Sequence, residues 1–78
     1  MAPVELVEYV VSCLVSQPDD VDVRTIPGNE ETVIEVRVAE DDIGKVIGKN
    51  GSVARALRTL VSALGVQDNT SYILEIID

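Results

Sequence analysis

The apolar and polar positions of the chain fall into two alternating regimes, one of helical period and one of period two. Behind Pro3, which suits a first helical position, Leu6, Val7, Val10, Val11 and Leu14 recur at helical spacing, so a helix is expected over about residues 3–16, with Pro18 stopping it. Cys13 lies in this helix and is expected to pack against the core as a small apolar residue. Val21-Asp22-Val23-Arg24-Thr25 then alternates as a half-buried strand does. A second strand runs from about Thr32 to Val38, with Ile34, Val36 and Val38 on one face and Glu35 and Arg37 on the other, placed to pair with Asp22 and Arg24. Between the strands, Pro27-Gly28-Asn29-Glu30-Glu31 marks a hairpin, either a type II turn on Pro27-Gly28 or a longer loop.

The second half returns to helical period. Ile43, Val46 and Ile47 make a short stripe, and Val53, Leu57, Leu60, Val61 and Leu64 a longer one that Gly65 is expected to end as a glycine just past the helix. Glu40-Asp41-Asp42 stands where the short helix begins and reads as its caps. A metal-binding or catalytic carboxylate cluster is the sharper alternative, but adjacent acids at a helix start diverge around the axis. Gly44 inside the short helix costs roughly 1 kcal/mol relative to alanine, so either something packs closely there or a ligand approaches it. Ser71 to Ile77 closes the chain as a nearly continuous apolar strand, expected to have neighbours on both sides and covered faces. The order α-β-β-α-α-β predicts an α+β fold with helices on one face of the sheet, organised as one domain over residues 1–78.

Between the two helical stripes sits Gly48-Lys49-Asn50-Gly51, whose glycines permit positive φ or close approach of another molecule. It is not a P-loop: only three residues separate Gly44 from Gly48, Asn50 stands where a magnesium-binding hydroxyl is required, and the turn joins helix to helix rather than strand to helix. The dinucleotide fingerprint fails on the same context.

Charge sharpens the picture around this turn. The net charge is −8, which by itself opposes polyanion binding, yet residues 43–67 hold Lys45, Lys49, Arg55 and Arg58 and no acid, leaving −12 for the remainder. There is no histidine and one cysteine, which removes histidine-based catalysis, an internal disulfide and the usual zinc sites, and no nucleophile, base and orienting group can be assembled from what is left. No apolar run approaches the roughly 18 to 20 residues of a membrane span. Glu5 and Glu8 interrupt the first apolar stripe and no basic stretch precedes it, so the expectation is a cytoplasmic protein without a secretory signal.

Val46-Ile47-Gly48-Lys49-Asn50-Gly51 resembles the [VI]-I-G-x-x-G signature between the core helices of KH domains, and the element order is similar to the type II KH arrangement over essentially the whole chain. More narrowly, Asp42 to Gly51 followed by Ala54-Arg55-Ala56-Leu57-Arg58 resembles the small stand-alone bacterial KH-domain RNA-binding proteins of the KhpA type. The resemblance implies a type II KH fold, with a three-stranded mixed sheet and three helices on one face. It also implies a non-catalytic RNA chaperone or adaptor without cofactor or metal, whose turn clamps about four nucleotides of single-stranded backbone. On that reading Gly48 and Gly51 allow close approach, Lys49 adds charge, Asn50 donates a hydrogen bond, and the helix N-terminus at Ser52 favours a phosphate. Ile43, Gly44 and Ile47 form one wall of a base-binding groove, Val36 and Val38 either contribute or belong to the core, and Lys45, Arg55 and Arg58 flank it, Arg55 best placed. Ala54, where KH domains commonly carry a larger aliphatic, signals close helix packing. Few cations and only Tyr9 and Tyr72 as aromatics predict a weak monomeric site without a stacking platform. Avidity through a homodimer, or through a heterodimer with another KH-domain protein, would offset that weakness. The alternative is a protein-interaction and dimerisation module with a KH fold and little RNA affinity of its own.

Overall fold

Helix α1 spans Pro3–Leu14 in a computed structural model that describes residues 2–77. Pro3 opens it, and the Glu5 carboxylate reaches back to accept a hydrogen bond from the Ala2 N–H at 3.1 Å. Pro3, Val7 and Val11 are buried, while Leu14, Tyr9 and Cys13 are exposed. Cys13 is therefore not a core residue. It stands two positions beyond Val11, about 200° around the helix from the buried stripe. The helix also stops two residues short of expectation. The Val15 N–H still reaches Val11, but the next two amides, of Ser16 and Gln17, turn to the carboxylate of Asp42 at 3.1 and 3.0 Å, so a distant side chain rather than Pro18 ends the helical ladder.

Strands β1 (Asp22–Pro27) and β2 (Thr32–Arg37) form the antiparallel hairpin, with Pro27 opposite Thr32. Because Pro27 belongs to the ladder, the connection is the longer loop, closed by the Gly28 N–H donating to the Glu31 carbonyl at 2.8 Å. The register sets Asp22 opposite Arg37 and Arg24 opposite Glu35, but the ion pairs form along each strand, Arg24 with Asp22 at 2.8 Å and Arg37 with Glu35 at 3.0 Å. All four groups are partly solvated, so these pairs add little stability.

Strand β3 (Tyr72–Ile76) runs parallel to β2 in a sheet of order β1-β2-β3. The apolar run at its end belongs to an edge strand, contrary to expectation: it has β2 on one side only, Leu74 is buried, and Ile73 on the opposite face is exposed. The central strand is β2, whose Ile34 and Val36 are inaccessible to solvent while Arg37 on its other face is exposed. Helices lie on one face, and Val7, Val11, Val23, Val46, Leu57, Val61 and Leu74 complete the core with Ile34 and Val36. This is the expected α+β arrangement with a mixed three-stranded sheet.

The parallel connection from β2 to β3 consists of a 3-10 turn at Glu40–Asp42, helix α2 (Ile43–Ile47), the glycine turn and helix α3 (Ser52–Asp68). The buried stripe of α3 is Ala54, Leu57, Val61 and Gly65, while Leu60 is 43% exposed, so the face departs at Leu60 from the one its largest side chains suggest. Gly65 does not end the helix. Asn69 supplies the left-handed residue instead (φ 54°, ψ 42°), and the chain turns back so closely that the Thr70 N–H donates to the Gly65 carbonyl at 2.9 Å. A β-carbon at Gly65 would lie 2.4 Å from the Thr70 carbonyl oxygen. Gly65→Ala is expected to destabilise by about 1–3 kcal/mol despite the better helix propensity of alanine, as read from the urea midpoint.

Among the described residues, no helix is long and apolar enough to cross a membrane, and no cluster of acids and cysteine is suited to a metal ion.

Candidate nucleic-acid interface

The turn between α2 and α3 owes its shape to its two glycines. Gly48 has φ 77° and ψ 171°, and a β-carbon there would lie 2.5 Å from Cγ2 of Val53, so only glycine lets the first turn of α3 pack against the end of α2. The Gly48 N–H closes α2 on the Gly44 carbonyl at 2.9 Å. Lys49, Asn50 and Gly51 then make one 3-10 turn in which Asn50 (φ 56°, ψ 25°) and Gly51 (φ 75°, ψ 15°) are both left-handed. Asparagine tolerates that conformation better than most residues. The side chains of Lys49 and Asn50 are left exposed at the tip.

Arg55, one helical turn on, donates from Nη1 to the Asn50 carbonyl at 2.7 Å. It pins the tip of the turn to α3 and keeps a cation beside it. At Ser52, exposed, the first turn of α3 begins with no acid and with no side chain among the described residues capping it. The Ser52 N–H donates to the Lys49 carbonyl, and the following N–H groups, with the positive end of the helix dipole, lie directly behind the turn.

Beside α2 lies an open groove of about 690 Å³ lined by Val38, Glu40, Ile43 and Ile47. Ile43 and Ile47 are one helical turn apart, and Ile47 is 38% exposed, so its side chain is open to contact from outside. Val38 joins the groove from the chain leaving β2, but Val36 is wholly buried and can touch no ligand. A β-carbon on exposed Gly44 would meet nothing within 4 Å, so packing within the chain does not explain that glycine and its surface is open to an approaching molecule. A second hollow of about 510 Å³, between the end of α3 and β3, is lined by Val66, Asn69, Tyr72 and neighbours and has no cation in its walls.

Lys45 is not wholly available. Its Nζ lies 3.2 Å from Oδ1 of Asp42, a residue inaccessible to solvent. Asp42 does not cap α2 as its position suggests. Its carboxylate instead accepts from the Ser16 N–H and hydroxyl at 3.1 and 2.7 Å and from the Gln17 N–H at 3.0 Å, tying the end of α1 to the start of α2. The Ser16 amide and then its hydroxyl, with the Gln17 amide and Lys45, lower the Asp42 pKa from 3.8 to about 2 against the opposing effect of burial. Glu40 lines the groove and was not foreseen there. Two acids that look like one capping cluster therefore have separate places, one under the groove wall and one at its lip.

Ile43 and Ile47 thus line the groove beside α2, and Gly48, Lys49, Asn50, Gly51, Ser52 and Arg55 lie at the turn that follows it, with Gly44 open and Lys45 shared with Asp42. A family model described as KhpA/KhpB, KH domain matches residues 4–76. The RNA-binding protein KhpA of Treponema pallidum (strain Nichols) is 50% identical over 74 residues, covering 95% of this chain and 92% of that protein. The RNA-binding proteins KhpA of Borreliella burgdorferi and Clostridium perfringens are 43% and 44% identical, covering 96% and 94% of this chain and 92% and 97% of their own lengths. No solved structure matches the chain. These relatives are named for binding, not for a reaction, and the chain belongs to their family, the non-enzymatic KhpA/KhpB KH-domain proteins.

Proposed function

We propose that the chain binds single-stranded RNA as one domain, through the Gly48-Lys49-Asn50-Gly51 turn, and acts in the cytoplasm as a non-catalytic chaperone or adaptor. The observation that carries this reading is the turn itself: two positive-φ glycines hold an exposed lysine and asparagine beside an uncapped helix N-terminus. One strand's phosphates pass over the turn and the Ser52 end of α3, while bases lie against Ile43, Ile47 and Val38. The family supports RNA as the ligand, since its relatives are named as RNA-binding proteins.

With two to four phosphates neutralised, the logarithm of the binding constant for a labelled single strand should fall against the logarithm of salt with a slope of about −1.4 to −2.8. Fluorescence titration over a salt series measures it. A slope near zero, or no binding at low salt, overturns the reading. The −12 balance outside residues 43–67 favours a second reading, a protein-interaction module with little RNA affinity. Tight self-association by light scattering combined with no RNA binding would select it. In the first reading a homodimer, or a heterodimer with another KH-domain protein, adds avidity to a weak site.

A further inference from the structure

The groove beside α2 has three apolar contributors and one polar side chain. Val38, Ile43 and Ile47 offer dispersion and apolar contact to the face of any base and so cannot select among bases. Glu40 is exposed at the same groove, and no hydrogen bond or ion pair to its carboxylate is made among the described residues. The cations nearest in sequence are engaged elsewhere: Arg37 with Glu35 at 3.0 Å and Lys45 with Asp42 at 3.2 Å. Its exposed neighbour Asp41 does not line the groove. An exposed carboxylate in the wall of a site that accepts a polyanion weakens nonspecific binding, and its two oxygens are free to accept from a donor on what the groove holds.

We propose that Glu40 is a specificity-determining residue that selects guanine for the base position in this groove. The inference rests on the RNA-binding reading above and adds the base to it. An ionised carboxylate only accepts hydrogen bonds, through two oxygens side by side. The Watson–Crick edge of guanine presents two adjacent donors, N1–H and the N2 amino group, and can satisfy both oxygens at once. Adenine and cytosine each set one amino donor beside a ring nitrogen whose lone pair would face the second oxygen. Uracil sets its single N3–H between two carbonyls and is the worst match. Single-stranded RNA leaves this edge free to be read. Glu40 also orients the strand, because phosphates are repelled from its side of the groove and attracted to Lys49 and the Ser52 helix end.

The test uses the full chain, wild type and Glu40→Ala, titrated with labelled uridine octamers whose fourth base is uracil, guanine, hypoxanthine, adenine or cytosine. Wild type is expected to bind the guanine octamer at least about five-fold more tightly than the all-uracil one. Hypoxanthine, which lacks the N2 amino group, loses most of that preference without any change to the protein. Glu40→Ala, which removes both acceptor oxygens, is expected to lose the guanine preference and to bind the all-uracil octamer more tightly than wild type does, with an unchanged thermal midpoint because the side chain is exposed. Equal affinity of wild type for all five octamers overturns the role of Glu40 alone, as does a guanine preference that survives in Glu40→Ala or in the hypoxanthine octamer. Failure of wild type to bind any octamer at low salt overturns both this inference and the RNA-binding reading beneath it.

Discussion

The double variant Lys49→Asp, Asn50→Asp is expected to bind single-stranded RNA at least about 30-fold more weakly than wild type, a loss of about 2 kcal/mol. It exchanges a cation and a neutral amide for two anions where the proposed clamp meets phosphate. Each lost charge-assisted hydrogen bond is worth about 1.5–3 kcal/mol, and repulsion adds to it. Fold is preserved, because both side chains are exposed and the left-handed conformation of Asn50 is one that aspartate also accepts. Its carbonyl, the acceptor for Arg55, is untouched. Glycine variants would not separate these effects, since a side chain at Gly48 collides with Val53 and moves α3. The measurement is fluorescence titration beside a thermal melt. Unchanged affinity in a folded variant removes the turn from the binding site.

The turn was legible because its information is local. Two glycines at fixed spacing between two helical stripes specify positive φ at both ends, and both are found there. The sheet order was only partly legible, since an apolar strand looks the same whether it is central or at an edge, and Ile73 faces outward from β3. The face of α3 was legible except at one position: Leu57 and Val61 are buried and Val53 and Leu64 half-buried, while Leu60 is exposed. Hydrophobic periodicity weights large side chains, but this helix buries Ala54 and Gly65, which permit close approach, and leaves Leu60 partly outside. Ala54 had signalled that closeness. The end of α1 and the place of Asp42 were not legible, because the contacts that fix them join residues 25 and 26 apart, and an aspartate before a helix reads locally as a cap.

Removing that long-range contact is expected to have the largest effect on stability. Asp42→Ala leaves the amides of Ser16 and Gln17 without their acceptor and Lys45 without its partner. Three hydrogen bonds to one charged, solvent-inaccessible carboxylate are lost at once, and the thermal midpoint should fall by more than about 10 °C. Asp42→Asn keeps one carbonyl oxygen but turns an amino group toward a donor, so it is expected to lie between Asp42→Ala and wild type at neutral pH. The pH dependence separates this clamp from general packing. Folding lowers the Asp42 pKa from 3.8 to about 2, so its contribution is complete above about pH 4 and is lost as pH falls toward 2. The gap in thermal midpoint between wild type and Asp42→Asn should therefore be widest at neutral pH and narrow between pH 4 and 2, while the other acids titrate alike in both proteins. A gap that stays constant over that range would assign the loss to packing instead. Because Asp42 holds the first turn of α2, whose next residue Ile43 lines the groove, loosening it should also weaken RNA binding in variants that remain folded. The same buried carboxylate then stabilises the fold and positions the wall that the proposed binding mode gives to the bases.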